Sequence, residues 1–371
     1  FNLRYIAPIV RRIGMEVAGE IDGRMRVRDP GNSFDLSADV RLNDLRLNDG
    51  YYGKGLLTAV FNRENRQIDG RLTIGPDTVA RPYLALDGYV DLKRKTLDFK
   101  GRLHHLPSQF LSGYFRSFAT DLTGGLDGSL RLYGPLKRMK WDLQAESEDL
   151  ALTLSLLNTR YQFIRMGLSM SEEAITFTDG RLRDVRYDTR GRLSGSVHHR
   201  YLKDIELDLK LDFDQFLVLN TVPVKDMIYS GRVFATGRVV LSGLTNNLYI
   251  GVTARTDEDS HIDFDFSSPG GASASNFIRF EAERPVEINP LKAFYARRQQ
   301  KEKGKGRLTV DLGLAINPQL AVGLDIHNVT VNGTLNAVGT GNMRLLVEPR
   351  GTQLFGTYSI LSGVFDFSKM A

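Results

Sequence analysis

Residues 204–216, "DIELDLKLDFDQF", place apolar side chains at Ile205, Leu207, Leu209, Leu211 and Phe213, with Glu206, Asp208, Lys210 and Asp212 between them. Side chains of a β-strand alternate between two faces, so this order makes one apolar face and one charged face. The same period returns in "SFDLSADVRL" (Phe34, Leu36, Ala38, Val40, Leu42) and "HIDFDF" (Ile262, Phe264, Phe266). It returns again in "RLTVDLGLAI" (Leu308, Val310, Leu312, Leu314, Ile316) and "VGLDI" (Val322, Leu324, Ile326). Turn clusters such as "RDPGN", "LNDG", "IGPD", "SPGG" and "INPQ" punctuate these runs. Gly supplies positive φ there and Pro presets a turn dihedral. With 36 glycines and strands of ordinary length, on the order of 25 to 30 strands fit the chain. The pattern predicts an all-β protein.

Helical pattern is scarce. "LPSQFLSGYFRSF" (106–118) and "NPLKAFYARRQQKEK" (289–303) have near-helical spacing or a helix-start signature and read as short insertions on the β-scaffold. Register slips are a second departure. The apolar set of "ADVRLNDLRLND" moves from even positions ending at Leu42 to Leu45 and Leu47, which predicts a bulge at Asn43 and Asp44. Phe213 followed by Phe216 and Val218 is a similar slip, and bent strands let a sheet curl. A turn-then-strand unit recurs loosely in "DGRLTIGP" (69–76), "DGSLRLYGPL" (127–136), "DGRL" (179–182) and "GRVFATGRVVLSGL" (231–244). Such recurrence predicts one continuous elongated unit over 1–371, a curled antiparallel or mixed sheet. At about 4.8 Å per strand it would be on the order of 100 Å long.

A hydrophobic fraction of 42% and a charged fraction of 25% are those of a folded chain, which sets disorder aside. The net charge of +5 comes from 49 basic and 44 acidic residues, interspersed along the 371. One dense basic run stands out, "ARRQQKEKGKGR" (296–307), and it reads as a mobile charged loop. It has no aromatic residue to stack a base, and no nucleic-acid partner is expected. The absence of cysteine excludes disulfides, thiolate metal sites and a cysteine nucleophile, and fits an oxidising compartment such as a periplasm. No apolar run reaches the roughly 18 residues of a membrane-spanning helix. The chain starts without methionine and stops within the strand-like "GVFDFSKMA", so it reads as a fragment of a longer protein at both ends.

Candidate chemistry is sparse. His104-His105 and His198-His199 are adjacent pairs, and neighbours in a strand point to opposite faces, so they would chelate a metal poorly. "TDEDSHIDFDF" sets Asp263 and Asp265 on one face but lacks the spaced ligands and glycine of a calcium loop. "GYYGKG" and "GKGKGR" lack P-loop spacing, "LSGLT" and "LSGV" lack a nucleophile elbow, and no carboxylate pair stands out from the general alternation. The expectation is a protein with no metal, no cofactor and no catalytic constellation.

A resemblance then sharpens the picture. "LLNTRYQF" (156–163), residues 177–221, "MIYSGRVFATGRVVLSGL" (227–244), "VTART" (252–256) and "VGTGNMRLLVEPRGTQLFGTYSILSGVFDFS" (338–368) resemble the TamB family, most of all its Bacteroidetes-type members. The resemblance is clearest over 120–371. It implies a periplasmic protein held to the inner membrane by a helix absent from this sequence. It further implies a long sheet curled into an open trough with an apolar interior, a β-taco. An outer-membrane TamA-type β-barrel would be its partner, phospholipid its cargo, and outer-membrane protein assembly its other task. On this reading the five apolar sets quoted above face acyl chains. Alternation by itself leaves other uses open: a dry sandwich core, a transmembrane β-barrel, or a periplasmic scaffold that lends a strand edge to unfolded outer-membrane proteins.

Overall fold

The computed structural model describes residues 16–28, 35–76, 81–112, 119–155, 157–200, 203–223, 229–265, 307–327, 332–349 and 351–367. They form 21 strands and one 3-10 turn, so the chain is all-β. Among the described residues several strands exceed ordinary length: one runs for 19 residues and two for 17. Of the two expected helical insertions, the first yields the four-residue 3-10 turn Ser108–Leu111. Its remaining residues 113–118 and the whole of 289–303 lie outside the described residues, as do Phe34, Phe266 and most of the basic run 296–307. The chain divides into two compact units, Phe1–Thr221 and Val222–Ala371.

In the first unit β1 (Val17–Arg28), β2 (Asp35–Leu47), β3 (Gly50–Asn62), β4 (Gln67–Gly75), β5 (Leu84–Asp91) and β6 (Thr96–Pro107) pair in succession as an antiparallel meander. β7 (Ala119–Thr123) and β8 (Gly125–Pro135) make one broken row, and β9 (Lys140–Ser147) and β10 (Ala151–Leu154) make the next. β6 pairs with β8, β8 with β9, and β7 with β10. β11 (Thr159–Met170) takes β10 along its first residues and β9 along its last. β12 (Ala174–Asp184), β13 (Arg190–Arg200) and β14 (Lys203–Thr221) complete twelve rows, on the order of 50 Å measured across the ladder.

The rows bend toward one end of the meander. The predicted slip in β2 is present, the β2–β3 register shifting between Leu42 and Leu45, with Asp44 at φ 51°. Gln215 at φ 45° supplies the predicted slip after Phe213, and Gly53, His105, Gly124 and Asp179 have positive φ in their own rows. Each left-handed residue inserts a kink, and kinks in successive rows curl the sheet. The core of the unit sits at this bent end: Leu45, Tyr52, Leu126, Phe216 and Leu217 are all buried there. Tyr161 stacks on Phe216 with 5.0 Å between ring centroids and donates its hydroxyl to the Leu217 carbonyl at 2.9 Å. The last part of β14 is thereby held against β11, although β12 and β13 stand between them in the ladder.

In the second unit β15 (Tyr229–Leu244) pairs with β16 (Asn247–Thr256) and, through its first residues, with β17 (His261–Asp265). β18 (Arg307–Ile316) and β19 (Ala321–His327) run parallel to β16 and β17. β20 (Asn332–Glu348) is antiparallel to both, and β21 (Gly351–Phe367) pairs along β20. A parallel pair needs a long crossover, and residues 266–306 connect the two rows. Polar side chains fill the breaks within these rows. Thr256 Oγ1 accepts the Asn317 N–H at 2.9 Å, Ser260 Oγ accepts the Phe234 N–H at 2.9 Å, and Thr236 donates to Asp257 Oδ2 at 2.6 Å.

Candidate functional site

Residues directly opposite one another in a ladder point to the same side, so the registers define the faces. One line begins at Leu209 and passes through Gly195, Phe177, Leu168, Ala145, Gly128, Leu103, Leu84, Ile74, Gly55 and Leu42 to Ile21. A second starts at Leu207 and passes through Val197, Ile175, Met170, Leu143, Leu130, Gly101, Leu86, Leu72, Leu57 and Val40 to Gly23. Neither line contains a polar side chain. Together they form an apolar wall across all twelve rows.

The reverse side is polar. The line opposite Asp208 continues through Ser196, Thr176, Ser169, Gln144, Ser129 and Arg102. Arg131 forks onto Asp98 at 3.0 and 2.8 Å, and this guanidinium holds the Asp98 carboxyl below the usual carboxylate range. Arg71 pairs with Asp87 on the same side.

Glycines in the wall are places where a neighbour lies down. A Cβ on Gly88 would come within 2.7 Å of Phe99 Cγ, and one on Gly70 within 3.2 Å of Phe99 Cε1, because the Phe99 ring lies across both. Sequence reading missed this part of the wall. Leu57, Leu72, Leu130, Met170, Ile175 and Val197 sit in short runs broken by glycine, and a glycine counts as an interruption of a hydrophobic pattern. In the folded sheet it continues the wall.

Coverage of the wall is uneven. Ile205, Leu207, Leu209 and Leu211 are half-buried, as are Leu36, Val40 and Leu42 on β2. Phe213 is buried, its ring 5.9 Å from that of Phe216. Toward the unbent ends of the rows exposure rises, to 38% at Leu57 and 68% at Met25. In-sheet neighbours alone hide much of a leucine; a packed second layer would hide these as fully as Leu126, which is 1% exposed. The second unit repeats the arrangement. Val239, Val252, Leu312 and Leu345 stand opposite one another, as do Leu241, Ile250, Val310 and Val347. Ile262 and Phe264 face Val322 and Leu324. Leu314 and Ile316 belong to the same face, and Leu308, 47% exposed, lies at its margin. Ile326 keeps its backbone register with Gly333, while its side chain lies outside the described residues.

The histidine pairs behave differently from each other. His198 is exposed and His199 buried, as alternation requires, and burial pushes the His199 imidazole below its ordinary pKa. His104 and His105 do not diverge. The positive φ of His105 turns it so that its N–H donates to Asp127 Oδ1 at 2.8 Å while His104 Nδ1 lies 3.2 Å from the same oxygen. His105 Nε2 also lies 3.4 Å from Asp149. Among the described residues no group of three or more His, Asp or Glu is placed to hold a metal.

Comparison with known families bears on a chain built this way. The model of the TamB C-terminal domain matches residues 180–370, a little over half of the sequence. The chain belongs to the TamB family. The match covers the end of β12 through β21, and so takes in the last rows of the first wall and all of the second. TamB proteins are periplasmic and membrane-linked, and they act with TamA of the outer membrane in the translocation and assembly module. The family is a transport and assembly module rather than a family of enzymes. No curated protein and no solved structure matches the chain. Among the described residues no helix is long and apolar enough to cross a membrane.

Proposed function

We propose that this TamB-family chain carries phospholipid acyl chains along its apolar wall, acting as an open trough in a protein that bridges the inner and outer membranes and is anchored to the former. The observation that supports the reading most is the pair of apolar lines crossing twelve rows without a polar side chain, uncovered toward one end. Exposing an acyl chain to water costs about 0.8 kcal/mol per CH₂, so a continuous apolar track lowers the barrier by something on the order of 10 kcal/mol per chain. A slide down a concentration gradient then needs no nucleotide. A barrel is less well supported, since among the described residues of the first unit β1 pairs with β2 alone and does not meet β14.

A second reading, strand lending during outer-membrane protein assembly, draws on β21. Among the described residues this strand pairs only with β20, and it exposes Phe355, Ile360, Leu361, Val364 and Phe367. By contrast β1, the first strand of the first unit, carries Glu20, Asp22, Arg24, Arg26 and Arg28, charges that discourage edge pairing. β21 carries a single charge, Asp366, and such a largely apolar edge suits an incoming strand.

Site-specific photo-crosslinking tests the lipid reading. With the crosslinker at Leu209, mass spectrometry is expected to find a phospholipid adduct that is absent when it stands at Asp208. No adduct at Leu209, or equal labelling at both positions, would sink it.

A further inference from the structure

In an antiparallel meander every second connection falls on the same edge. At the unbent edge of the first unit these include the β3–β4, β5–β6 and β8–β9 turns, each with a net positive charge, while the β11–β12 turn further along the same edge, residues 171–173, carries Glu172 and Glu173. Of the three basic turns, the first carries Arg63 and Arg66 with Glu64 between them, the second Lys93, Arg94 and Lys95, and the third Lys137 and Arg138. The last two turns touch, with the Leu136 N–H donating to the Lys95 carbonyl at 2.9 Å. Both read Leu-Lys-Arg, at 92–94 and 136–138, and their leucines are 43% and 46% exposed.

Few acids neutralise these three turns, and Glu172 of the acidic turn pairs with Lys140 at 3.6 Å. Arg63 lies 3.8 Å from Asp35 and Arg94 3.8 Å from Asp91, whereas among the described residues Arg66, Lys93, Lys95, Lys137 and Arg138 are in no ion pair. At the bent edge, the β2–β3 turn (48–49) and the β9–β10 junction (148–150) hold Asp49, Glu148 and Asp149 and no Lys or Arg, while the β4–β5 connection has Arg81 and the β12–β13 turn has Arg186 and Asp188. From the β3–β4 turn to the β8–β9 turn, cationic connections thus border the side on which the wall is uncovered, and the bent edge has no comparable run of them.

We infer that this basic stretch of the edge, from the β3–β4 turn to the β8–β9 turn, is a lip that holds the headgroups of anionic phospholipids while their acyl chains lie on the wall. The inference rests on the acyl track proposed above and adds the class of lipid. A diacyl lipid lying on the wall must leave its headgroup in water at the margin, and at this margin the headgroup meets unpaired guanidinium and ammonium groups. A net negative headgroup gains from that field, whereas a zwitterionic one carries its own ammonium into it. Leu92 and Leu136 add apolar contact at the boundary, in the manner of interfacial segments that mix leucine with lysine and arginine.

The test uses the full chain and short-chain lipids below their aggregation concentration, so that no membrane is present. Titration calorimetry with phosphatidylglycerol and with phosphatidylcholine of equal chain length is expected to show about ten-fold tighter binding of the anionic lipid at low salt, a preference that fades at high salt. The variant Lys93→Gln/Arg94→Gln/Lys137→Gln/Arg138→Gln should lose the preference and keep its affinity for phosphatidylcholine. Should that variant fail to fold, Lys93→Gln/Lys137→Gln reads the same change at reduced size. Equal binding of both lipids by the unaltered chain, or a preference that survives in the variants, overturns the lip and leaves the acyl track standing. Binding of neither lipid overturns both. A variant defect seen solely in sedimentation with phosphatidylglycerol vesicles would assign the basic turns to a membrane surface, and the lip would fall.

Discussion

Tyr52 is buried near the start of β3, where its hydroxyl donates to the Pro107 carbonyl at 2.7 Å and accepts the Phe110 N–H at 2.9 Å. Asn48 holds the Phe110 carbonyl with its side-chain amide. Both backbone groups of Phe110 are therefore taken by side chains from outside the 3-10 turn Ser108–Leu111, which ties that turn to the start of β3. Tyr52→Phe leaves those partners unsatisfied in a buried place and is expected to cost about 1–3 kcal/mol in urea unfolding at neutral pH. Burial also pushes the Tyr52 hydroxyl well above its ordinary pKa. A raised folded pKa means that the unfolded chain releases this proton first as pH climbs past about 10, so the tyrosine's contribution is full below that value and lost above it. The stability difference between the two forms should accordingly shrink in alkali; a difference that stays constant there would refute this account. At this scale the sequence was only partly readable. The bulge at Asp44 could be read from a shifted apolar set, while the convergence of His104 and His105 on Asp127 could not. A single left-handed residue reverses the direction that strand alternation assigns, and nothing in a pair of identical histidines announces it.

Strands were the most legible level, because a period of two over several residues has one structural solution when one face is wet and the other is not. Their lengths and breaks were less so. β7 and β8 count as two strands by hydrogen bonding, yet they make one row interrupted at Gly124, whose φ is 96°. Glycines inside rows carry the clearest prediction at this scale. At Gly88 an added Cβ would meet the Asp98 carbonyl oxygen at 2.2 Å and Phe99 Cα at 2.5 Å, so two backbones would be forced apart. Gly88→Ala should destabilise by about 1–3 kcal/mol in thermal unfolding. Gly313→Ala is its control, since that Cβ would meet only the Val252 carbonyl oxygen, at 3.6 Å, and the substitution should be nearly neutral. Similar losses at both sites would mean that close row packing is not what the wall glycines provide.

At the scale of the molecule, the single tryptophan offers a probe that needs no labelling. Trp141 stands opposite Leu132 on the apolar wall and is half-buried. Phospholipid with brominated acyl chains should quench its fluorescence more strongly than aqueous iodide does in the lipid-loaded chain, and iodide quenching that exceeds bromine quenching would place the acyl chains elsewhere. The sequence by itself determined that the chain is all-β, that its strands have one apolar and one charged face, where two of its bends fall, and which family it resembles. Those properties are local or nearly so: they follow from which residue succeeds which. Only the tertiary structure decided that leucines and glycines of twelve rows fall into unbroken lines, and that one end of the wall is covered while the other is open. It also decided that basic residues more than forty positions apart share one edge. Register and stacking create these neighbours, and a pattern read along one strand carries no information about what the adjacent row places beside it.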